Sequence, residues 1–497
     1  MRSVPENLFC PVLRAARLWP EAPALRWEGG ELRYRELAAE VARGAGFFRA
    51  KNLRRGDRVG LLARNVPEAA LVLWSGLCAG LSVVPLNFRW PRETLAGAVE
   101  QAGLRYLLAA EEFRSLAEQL PVPWGGLEGF SRGARPVSRL PEILPAEQEA
   151  NVIFTSGSSG RPKGAVLPLR SHVFSAKGAN RNLPLAPGEV WFASLPFHHV
   201  GGLAVLYRTA LAGACAFLAP RFEPASLLEK IVSGGITHFS VVPVMLRRLL
   251  KEGFSSAHSR RLRGILLGGS GVPGDLVEEI AACGLPVRTT YGLTEAASQV
   301  TALPENAPPE RLHTAGRLLP YRRLEIRDSA GKAVPPGTVG EIWISGPVLF
   351  SGYLGGKPLS SPAAWFATGD LGLLTEDGYL SVRGRKDDLI ISGGENIFPA
   401  EIERQARGFP GISACAAVGV EDPEWGERPV LFVEAEDPGR FPLERFEAYL
   451  AENLPGLYRP RGVIVLRRLP RISIGKIDRR RLKRELPALL EKYGPVR

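Results

Sequence analysis

Cysteine is scarce in this 497-residue sequence: it occurs five times, and successive cysteines lie at least 68 residues apart. There is no Cys-x-x-Cys pair and no cluster of Cys with His, which argues against a zinc site and against a disulfide framework. Reduced thiols in a cytoplasmic protein are expected instead. The first twenty residues contain charged side chains and lack an apolar core, so no secretory signal is predicted.

Hydrophobic runs that would suit a membrane span are also lacking. Two uncharged stretches, Ala69–Pro85 and Val190–Tyr207, have 17 and 18 residues, but glycine interrupts both of them and proline or histidine breaks the second. Both are at the short end of what can cross a bilayer. In each of them a buried helix followed by a strand is predicted, and with it a protein without integral membrane association.

The composition excludes several further classes of protein. Hydrophobic residues make up 45% and charged residues 23% of the chain, and Gly (55) and Pro (42) indicate many loops. These values are not those of a disordered chain, a collagen or a coiled coil. No repeat of 20–50 residues is visible, which argues against a solenoid or a propeller. The length predicts about two to four folding units.

The net charge of +12 raises the question of a nucleic-acid partner. Residues 387–497 hold 18 acidic and 18 basic side chains, so the whole excess belongs to residues 1–386. The basic run Arg459–Arg484 has no aromatic residue after Tyr458 until Tyr493, and therefore no stacking platform for single strands. A solvated face is the first interpretation of this run and a patch for a phosphorylated small molecule is the second, with nucleic acid last.

The order of patterns predicts an α/β fold. Helical spacing and short apolar strands alternate through the first 150 residues, with a strand predicted at Arg58–Leu62 and a buried helix at Glu68–Ala79. The alternation recurs at 264–290, which is typical of layered parallel sheets. From Leu324 short strands separated by turn signals indicate a small β-rich subdomain. After Asp388 the α/β pattern resumes, with helices predicted at Pro399–Arg407 and Leu443–Asn453. We predict a large N-terminal domain over residues 1–386 and a smaller α+β domain over 387–497.

The strongest chemical signal is the segment from Ile153 to Gly164. An apolar run leads into four hydroxyl side chains, three glycines and the two cations Arg161 and Lys163. Glycine lets backbone N–H groups converge on an anion, and hydroxyls and a lysine add donors and charge, so the segment predicts a phosphate-binding loop. It is not a Walker A loop, because Gly164 follows Lys163 where Ser or Thr would be needed. The alternative is a flexible Ser/Gly loop without a binding function.

This segment resembles the signature loop of the adenylate-forming superfamily, which includes acyl-CoA synthetases, luciferases and peptide-synthetase adenylation domains. Further segments resemble that superfamily's motifs in its order and extend the resemblance over nearly the whole chain: Tyr291-Gly292-Leu293-Thr294-Glu295, Thr368-Gly369-Asp370-Leu371, Gly384-Arg385-Lys386-Asp387-Asp388, Ser392-Gly393-Gly394-Glu395-Asn396-Ile397 and Gly475-Lys476-Ile477. The resemblance implies a carboxylate that attacks the α-phosphate of ATP, giving an acyl-adenylate and pyrophosphate, with ATP, Mg²⁺ and coenzyme A as cofactor and co-substrates.

The resemblance also assigns expected roles to residues at the phosphates. Thr294 would bind the α-phosphate, Glu295 would hold Mg²⁺ together with Thr155, and Lys163 would hold the β- and γ-phosphates. The other members of the ATP-binding loop would be Ser156, Gly157, Ser158 and Ser159. A Thr-Glu pair outside such a series of motifs would carry no signal.

The nucleoside is assigned in the same way. Asp370 would accept the ribose hydroxyls, since a carboxylate can accept two hydrogen bonds at once, and Arg385 would reach the same ribose. Tyr291, beside Gly292, would stack on the adenine, with a core tyrosine as the alternative. The wall between the adenine and acyl pockets would be formed by Gly268, Gly269 and Ser270.

Three further assignments concern the C-terminal segment. Lys476 would bridge the carboxylate and the α-phosphate in the first half-reaction, although Ile474 stands where the superfamily usually has a small or hydroxylated residue. Asp387 would be the hinge about which the C-terminal domain rotates. Gly393 and Gly394 would then line the coenzyme A tunnel, because glycine allows a close backbone approach.

The acyl pocket is predicted around Leu195–Gly202. His199 aligns best with the superfamily's functional histidine, with His198 as the rival and a core histidine as the bland alternative; Ser298 and Gln299 complete the predicted pocket. Peptide-synthetase adenylation domains usually place an aspartate in this segment to pair with an amino group. Its absence here argues against an amino acid, since a buried unpaired ammonium is costly.

Within the superfamily the sequence is most similar to the o-succinylbenzoate–CoA ligases of menaquinone biosynthesis, on Thr294–Gln299, on Ser392–Glu401 and on length. The resemblance implies 2-succinylbenzoate as the acid; another aryl or medium-chain acid is the alternative, because related ligases share both motifs. A protein that binds adenylates without turnover is a third possibility, against which Lys163, Glu295, Asp370 and Lys476 argue together. The expected partners are small molecules and not nucleic acid, and a homodimer is left open.

Overall fold

The computed structural model describes residues 4–155, 162–258, 261–269, 271–472 and 477–493, and it forms an α/β protein. The described strands are β1 Asn7–Phe9, β2 Pro23–Trp27, β3 Gly30–Arg33, β4 Arg58–Leu62, β5 Ser82–Pro85, β6 Leu104–Ala109, β7 Trp124–Gly126, β8 Ile143–Pro145, β9 Glu149–Thr155, β10 Lys163–Pro168, β11 Val190–Ala193, β12 Cys215–Leu218, β13 His238–Val241, β14 Gly264–Leu267, β15 Val287–Leu293, β16 Ser298–Ala302, β17 Arg317–Leu318, β18 Arg323–Arg327, β19 Gly340–Ser345, β20 Gly352–Tyr353, β21 Phe366–Leu374, β22 Leu380–Arg385, β23 Ile390–Ser392, β24 Glu395–Ile397, β25 Ala414–Asp422, β26 Gly426–Glu434 and β27 Gly462–Leu466. The described helices are α1 Pro11–Leu18, α2 Tyr34–Ala50, α3 Pro67–Ala79, α4 Arg92–Ala102, α5 Arg114–Ala117, α6 Leu169–Asn182, α7 Val200–Ala212, α8 Pro224–Val232, α9 Pro243–Lys251, α10 Gly274–Ala282, α11 Pro399–Ala406, α12 Leu443–Asn453 and α13 Arg479–Tyr493.

The chain divides into two compact units. The first comprises the described residues within Met1–Gly269, Ile280–Leu324 and Ile344–Phe366, and the second those within Ser270–Glu279, Glu325–Trp343 and Ala367–Arg497. The domain boundary expected between residues 386 and 387 remains a prediction.

The first unit contains two large sheets. One has the strand order β20-β10-β9-β5-β4-β6-β7, in which β5, β4, β6 and β7 run parallel; the other has the order β17-β16-β15-β14-β13-β11-β12-β2-β3. Helix α3 is buried all round, begins with Pro67 at its first turn and ends at Gly80, whose φ of +79° suits glycine. This helix–strand alternation was predicted correctly from the sequence.

The second unit combines two smaller sheets. The sheet β18-β19-β21-β22, in which β21 and β22 are antiparallel, is the predicted β-rich subdomain. In the C-terminal part, β24-β23-β26-β25 are antiparallel, β27 adds to β26 in parallel, and helices α11 and α12 pack on a core that includes Ile402, Phe446 and Leu450. The predicted helices Pro399–Arg407 and Leu443–Asn453 correspond to α11 and α12.

The prediction for Val190–Tyr207 was wrong in its order. The stretch begins with strand β11 and continues into helix α7, which starts after His199, whereas a helix followed by a strand was expected. An uncharged stretch has no polar face from which a period can be read, and the aromatic pair Trp191 and Phe192 favours a strand. None of the helices in the described part of the chain is long and apolar enough to cross a membrane.

The five cysteines are free thiols. The fold nevertheless brings two of them together: Cys10 Sγ lies 3.5 Å from Cys78 Sγ, and both side chains are buried. Sequence spacing gave no sign of this contact because the two residues are 68 positions apart.

Candidate active site

The predicted phosphate loop connects two antiparallel strands. Thr155 ends β9 and Lys163 begins β10, and the two residues are directly paired in register. The hydroxyl Oγ1 of Thr155 lies 3.4 Å from the carbonyl oxygen of Lys163. The apolar strand expected before the loop is therefore present, and it places Thr155 and Lys163 side by side. The loop residues Ser156, Gly157, Ser158 and Ser159 lie outside the described residues.

Lys163 and Glu295 are linked through a tyrosine that the sequence did not single out. Tyr353 donates a hydrogen bond from its hydroxyl to Oε1 of Glu295 (2.5 Å), and Nζ of Lys163 lies 5.7 Å from the centre of its ring. Glu295 is 9% exposed. A cation suited to phosphate and a carboxylate suited to a metal thus share one neighbour. Tyr353 directly follows the apolar segment between Gly346 and Gly352, and this position is the sequence signal by which it could have been found.

The motif Tyr291–Glu295 forms the end of β15 and a tight turn. A register shift between Tyr291 and Gly292 disturbs the pairing with β16, and Thr294–Ala296 forms one turn of 3₁₀ helix. A Cβ atom on Gly292 would lie 2.2 Å from the carbonyl oxygen of Ser298, so only glycine fits there. Thr294 and Glu295 are therefore held on a turn that directly follows the end of β15.

The glycines after β14 occupy a crowded strand end. A Cβ atom on Gly268 would lie 2.7 Å from Cγ2 of Thr290, and Gly269 has a φ of +87°. These restrictions explain why two glycines follow the strand. Ser270 lies outside the described residues.

The two histidines of the predicted acyl segment are both held neutral. Burial and the charge of Arg89 lower the pKa of His199 to about 4, and burial lowers the pKa of His198 well below its ordinary value. Their ring centres are 4.5 Å apart. His198 packs edge-on against Phe88 and is 4% exposed, whereas His199 is half-buried at the start of α7. As a whole residue His199 is thus the more exposed of the two, although Nε2 of its ring is buried.

Gln299 is committed to a hydrogen-bond network. Its amide oxygen accepts from Nη1 of Arg208 (3.2 Å), its Nε2 donates to Oγ1 of Thr290 (3.1 Å), and its backbone carbonyl accepts from Nε of Arg322 (2.7 Å). Its neighbour Ser298 has a φ of +117°. Gln299 therefore holds the wall of the predicted pocket in place rather than presenting a free amide.

Arg208, which the sequence also did not single out, is a buried cation beside this wall. It is 3% exposed, donates to Oδ1 of Asn180 (3.1 Å), and stacks over the ring of Trp191 at 4.0 Å. Burial and the charges of Arg288 and Arg322 lower its pKa to about 9. Among the described residues no carboxylate pairs with it. A narrow pocket of about 140 Å³, too tight in this structure for a water molecule, is lined by Ser175, Ala176, Ala179, Ala204, Arg208, Ser298 and Gln299.

In the second unit, the predicted ribose residues form an ion pair. Asp370 and Arg385 are paired in register across β21 and β22, and Nε of Arg385 lies 2.9 Å from Oδ1 of Asp370. Nη1 of Arg385 also donates to the carbonyl of Thr368 (3.1 Å). The Asp370 side chain is 10% exposed and that of Arg385 is 47% exposed, so the carboxylate is the buried partner of the ion pair and the guanidinium is the exposed one.

The predicted hinge and tunnel residues lie further along the same unit. Asp387 is exposed in the 3₁₀ turn Lys386–Asp388. Gly393 and Gly394 form the turn between β23 and β24 with φ values of +56° and +82°, and a Cβ atom on Gly393 would lie 2.8 Å from the ring of Trp425. Both positions therefore require glycine. Lys476 lies outside the described residues.

The donor set fits Mg²⁺ brought by a nucleotide. Among the described residues no group of three or more His, Cys, Asp or Glu side chains could hold a metal ion by itself. Mg²⁺ usually takes one or two carboxylates and completes its shell with water and substrate phosphates. The buried carboxylate of Glu295, with one oxygen fixed by Tyr353, suits that mode of binding.

Comparison with known proteins identifies two family matches along the chain and relatives that it covers almost completely. Residues 12–354 match the AMP-binding enzyme family, and residues 401–476 match the AMP-binding enzyme C-terminal domain. The chain is 32% identical over 483 residues to a 2-succinylbenzoate–CoA ligase of Bacillus cereus, covering 97% of this chain and 98% of the relative. It is 35% identical over 485 residues to a feruloyl-CoA synthase of an Amycolatopsis species, with 95% and 97% covered.

Solved structures give the same picture for the fold. The o-succinylbenzoate CoA synthetase of Bacillus subtilis in complex with the acyl-adenylate intermediate superposes with a TM-score of 0.90 at 31% identity, covering 96% of this chain and 98% of that one. The same enzyme with ATP and a magnesium ion gives a TM-score of 0.89 at 30% identity, with 97% and 100% covered. Nearly the whole chain thus has a counterpart in an enzyme whose structure holds an acyl-adenylate.

Proposed function

The chain belongs to the AMP-binding enzyme family, and we propose that it is an AMP-forming acid–CoA ligase whose acid is 2-succinylbenzoate. In the first half-reaction, a carboxylate oxygen of the acid attacks the α-phosphorus of ATP, and pyrophosphate leaves. In the second, the thiol sulfur of coenzyme A attacks the carbonyl carbon of the acyl-adenylate and AMP leaves. The placement of Lys163 and Glu295 around Tyr353 is the observation that carries the ATP-dependent step.

The proposed roles of this chain's residues in adenylation are mostly electrostatic. Lys163, with Thr155 beside it, binds the β- and γ-phosphates, and Thr294 binds the α-phosphate. Lys476 stabilises the charge that accumulates between carboxylate and α-phosphate. Such preorganised charge commonly accounts for a large share of the rate acceleration. When bound, Mg²⁺ neutralises phosphate charge, and Glu295 is the residue that would hold it.

The nucleoside is proposed to bind at Asp370 and Arg385, with Tyr291 against the adenine. The ion pair with Arg385 orients the Asp370 carboxylate, so that its oxygens can accept hydrogen bonds from the 2′- and 3′-hydroxyls. Gly268, Gly269 and Ser270 would separate this subsite from the acyl pocket.

In thioester formation we propose that the segment after Asp387 turns and that Gly393 and Gly394 line the path of the pantetheine arm. A side chain on Gly394 would meet open space, whereas the ring of Trp425 fills that space at Gly393, so the close approach of a narrow substrate is proposed at Gly394. His199 is neutral at pH 7 because its pKa lies near 4. It can therefore accept or donate one hydrogen bond at the reacting carboxyl without adding a charge.

The choice of acid rests on Arg208. 2-Succinylbenzoate carries a second carboxylate, and a buried arginine without an acidic partner among the described residues would gain an ion pair from it. Ser298 and Gln299 line the same narrow pocket. The pocket would have to widen on binding. The similarity to a feruloyl-CoA synthase keeps another aryl acid as the second candidate.

The experiment that tests this function is pyrophosphate release from ATP with a panel of acids, with and without coenzyme A. The panel contains 2-succinylbenzoate, benzoate, ferulate and octanoate. We expect 2-succinylbenzoate to give the highest kcat/KM and coenzyme A to be consumed in equal amount. A preference for another acid would refute 2-succinylbenzoate as the substrate but not the ligase activity. Exchange of labelled pyrophosphate into ATP is measured with the same acids. Its absence with every acid would refute the ligase activity and favour an adenylate-binding protein.

We propose a cytoplasmic location, because ATP and coenzyme A are available there and the cysteines are free thiols. The partners are these small molecules. A homodimer stays a prediction.

A further inference from the structure

Tyr353 occupies a position between two parts of the proposed ATP site that are far apart in sequence. It is 58 residues from Glu295, and its hydroxyl donates to Oε1 of that carboxylate at 2.5 Å. The face of the same ring receives the Lys163 ammonium at 5.7 Å. One side chain thus contacts a proposed metal ligand through its polar end and a proposed phosphate ligand through its ring.

The backbone around Tyr353 is fixed to both of these partners. Strand β20 pairs with β10, the strand that begins at Lys163, in the register Ala165 to Tyr353. Leu354 donates its backbone N–H to the carbonyl of Gly164 (2.8 Å), and Phe350 donates its own to the backbone carbonyl of Glu295 (2.8 Å). The segment 350–354 therefore ties the Lys163 strand to the Glu295 turn.

Packing fixes the ring as well. Phe350 meets Tyr353 edge-to-face with ring centres 4.9 Å apart, and Phe350 packs on Phe366 in the same way at 5.1 Å. A tyrosine held in this manner loses little further side-chain entropy when it makes its hydrogen bond. The bond from its hydroxyl to the carboxylate is short and charge-assisted, which belongs to the stronger class of hydrogen bonds.

From this geometry we infer that Tyr353 is a positioning residue for the Glu295 carboxylate, and that it sets the affinity of the enzyme for the magnesium complex of ATP. The inference rests on the proposed function. With Oε1 occupied by the tyrosine hydroxyl, the carboxylate cannot rotate freely, and it presents Oε2 to the nucleotide-borne metal in one orientation. Residues that orient a metal ligand in this way commonly contribute tenfold or more to metal affinity.

The variant Tyr353→Phe tests the inference because it removes only the hydroxyl and keeps the ring under Lys163. ATP binding is measured calorimetrically with the full chain and without any acid, once in EDTA and once over a range of Mg²⁺ concentrations. We expect the affinity in EDTA to stay within about twofold of that of the parent protein, since Lys163 and the ring are intact. The Mg²⁺ concentration that gives half of the Mg²⁺-dependent gain in affinity should rise about tenfold or more.

Tyr106→Phe is the matched control. Tyr106 lies on β6, and its ring also lies under a lysine, with Nζ of Lys51 at 5.5 Å, but it is not part of the proposed site. Its substitution should leave both measurements unchanged. Melting temperatures of both variants, within a few degrees of the parent protein, show that the comparison is between folded proteins.

Two results would overturn the inference. An unchanged Mg²⁺ dependence in Tyr353→Phe means that the hydroxyl does not position the metal ligand. An equal loss of ATP affinity in EDTA and in Mg²⁺ means that the tyrosine supports the fold of the whole site. Failure of the proposed function is distinguishable from both, because it appears as absent pyrophosphate exchange in the parent protein, whereas these binding measurements need no acid.

Discussion

Arg385 and Asp370 face each other across strands β22 and β21, with Nε of the arginine 2.9 Å from Oδ1 of the aspartate. The carboxylate is nearly buried and the guanidinium is half-exposed. Because the arginine pairs with Oδ1, the carboxylate is held in one orientation at the place where the ribose hydroxyls are proposed to bind.

Asp370→Asn should weaken ATP binding. The amide keeps the size of the side chain but loses the charge-assisted pair with Arg385 and part of the capacity to accept from the ribose. We expect the KM for ATP to rise about tenfold to a hundredfold, as is typical for a hydrogen bond to a charged group, with a smaller change in kcat. Initial rates of pyrophosphate release at varied ATP concentration measure the effect. Glu325→Gln, which breaks the ion pair of Glu325 with Arg327 (2.7 Å) in the same unit, is the control and should leave this KM unchanged.

Lys476→Ala should separate the two half-reactions. The lysine is proposed to stabilise charge only during adenylation, so its loss should lower acid-dependent pyrophosphate exchange by about a hundredfold to a thousandfold. Thioester formation from supplied acyl-adenylate and coenzyme A should change by less than a few-fold. Equal damage to both steps would contradict the assignment. Lys483→Ala removes an exposed lysine that pairs with Glu427 at 3.0 Å, and it should affect neither step.

Arg208→Gln should change the preference among acids. If the arginine receives the second carboxylate, the kcat/KM for 2-succinylbenzoate falls about tenfold or more relative to that for benzoate, which has no such group. The ratio of the two values cancels any general loss of folded enzyme. Arg322→Gln is the matched control, since Arg322 is equally buried but is bonded to the Gln299 and Pro320 carbonyls and to Ser175. An unchanged ratio in Arg208→Gln would exclude the arginine from acid recognition.

Buried neutral histidines should make the fold sensitive to acid. Burial lowers the pKa of His172 to about 3, and those of His238 and His199 to about 3 and 4, whereas an unfolded histidine titrates near 6.5. Below pH 6.5 the unfolded chain therefore binds protons that the native protein does not, and the free energy of unfolding falls as pH falls. At pH 5 each of these histidines lowers the free energy of unfolding by roughly 2 kcal/mol relative to its value at pH 7.5.

The variant His172→Phe tests this expectation. Phenylalanine can keep the stack on the Tyr207 ring, whose centre lies 4.3 Å from that of His172, but it cannot take up a proton. Urea unfolding at pH 7.5 and pH 5 should show an acid-induced loss of stability about 2 kcal/mol smaller in the variant than in the parent protein. The same loss in both proteins would mean that His172 does not titrate on unfolding.

Much of the fold could be predicted because its signals are local. Strand β4 and helix α12 were assigned with the bounds that the structure has, and helix α3 within one residue, since Pro67 and Gly80 mark its ends and its composition marks it as buried. Val190–Tyr207 was misjudged in its order because an apolar stretch on its own carries no period.

By itself, the sequence determined the reaction class. The ordered motifs around Lys163, Glu295, Asp370 and Lys476 resemble those of the adenylate-forming superfamily. They carry the kinds of side chain that bind a nucleotide and its metal, and residue types can be identified from the sequence alone. Only the tertiary structure decided which side chains hold those groups in place. Tyr353 reaches Glu295 across 58 residues, and Gln299 and Arg322 surround Arg208 from other elements. Contacts between distant segments depend on how sheets and helices pack, and no local pattern of residue types records that packing.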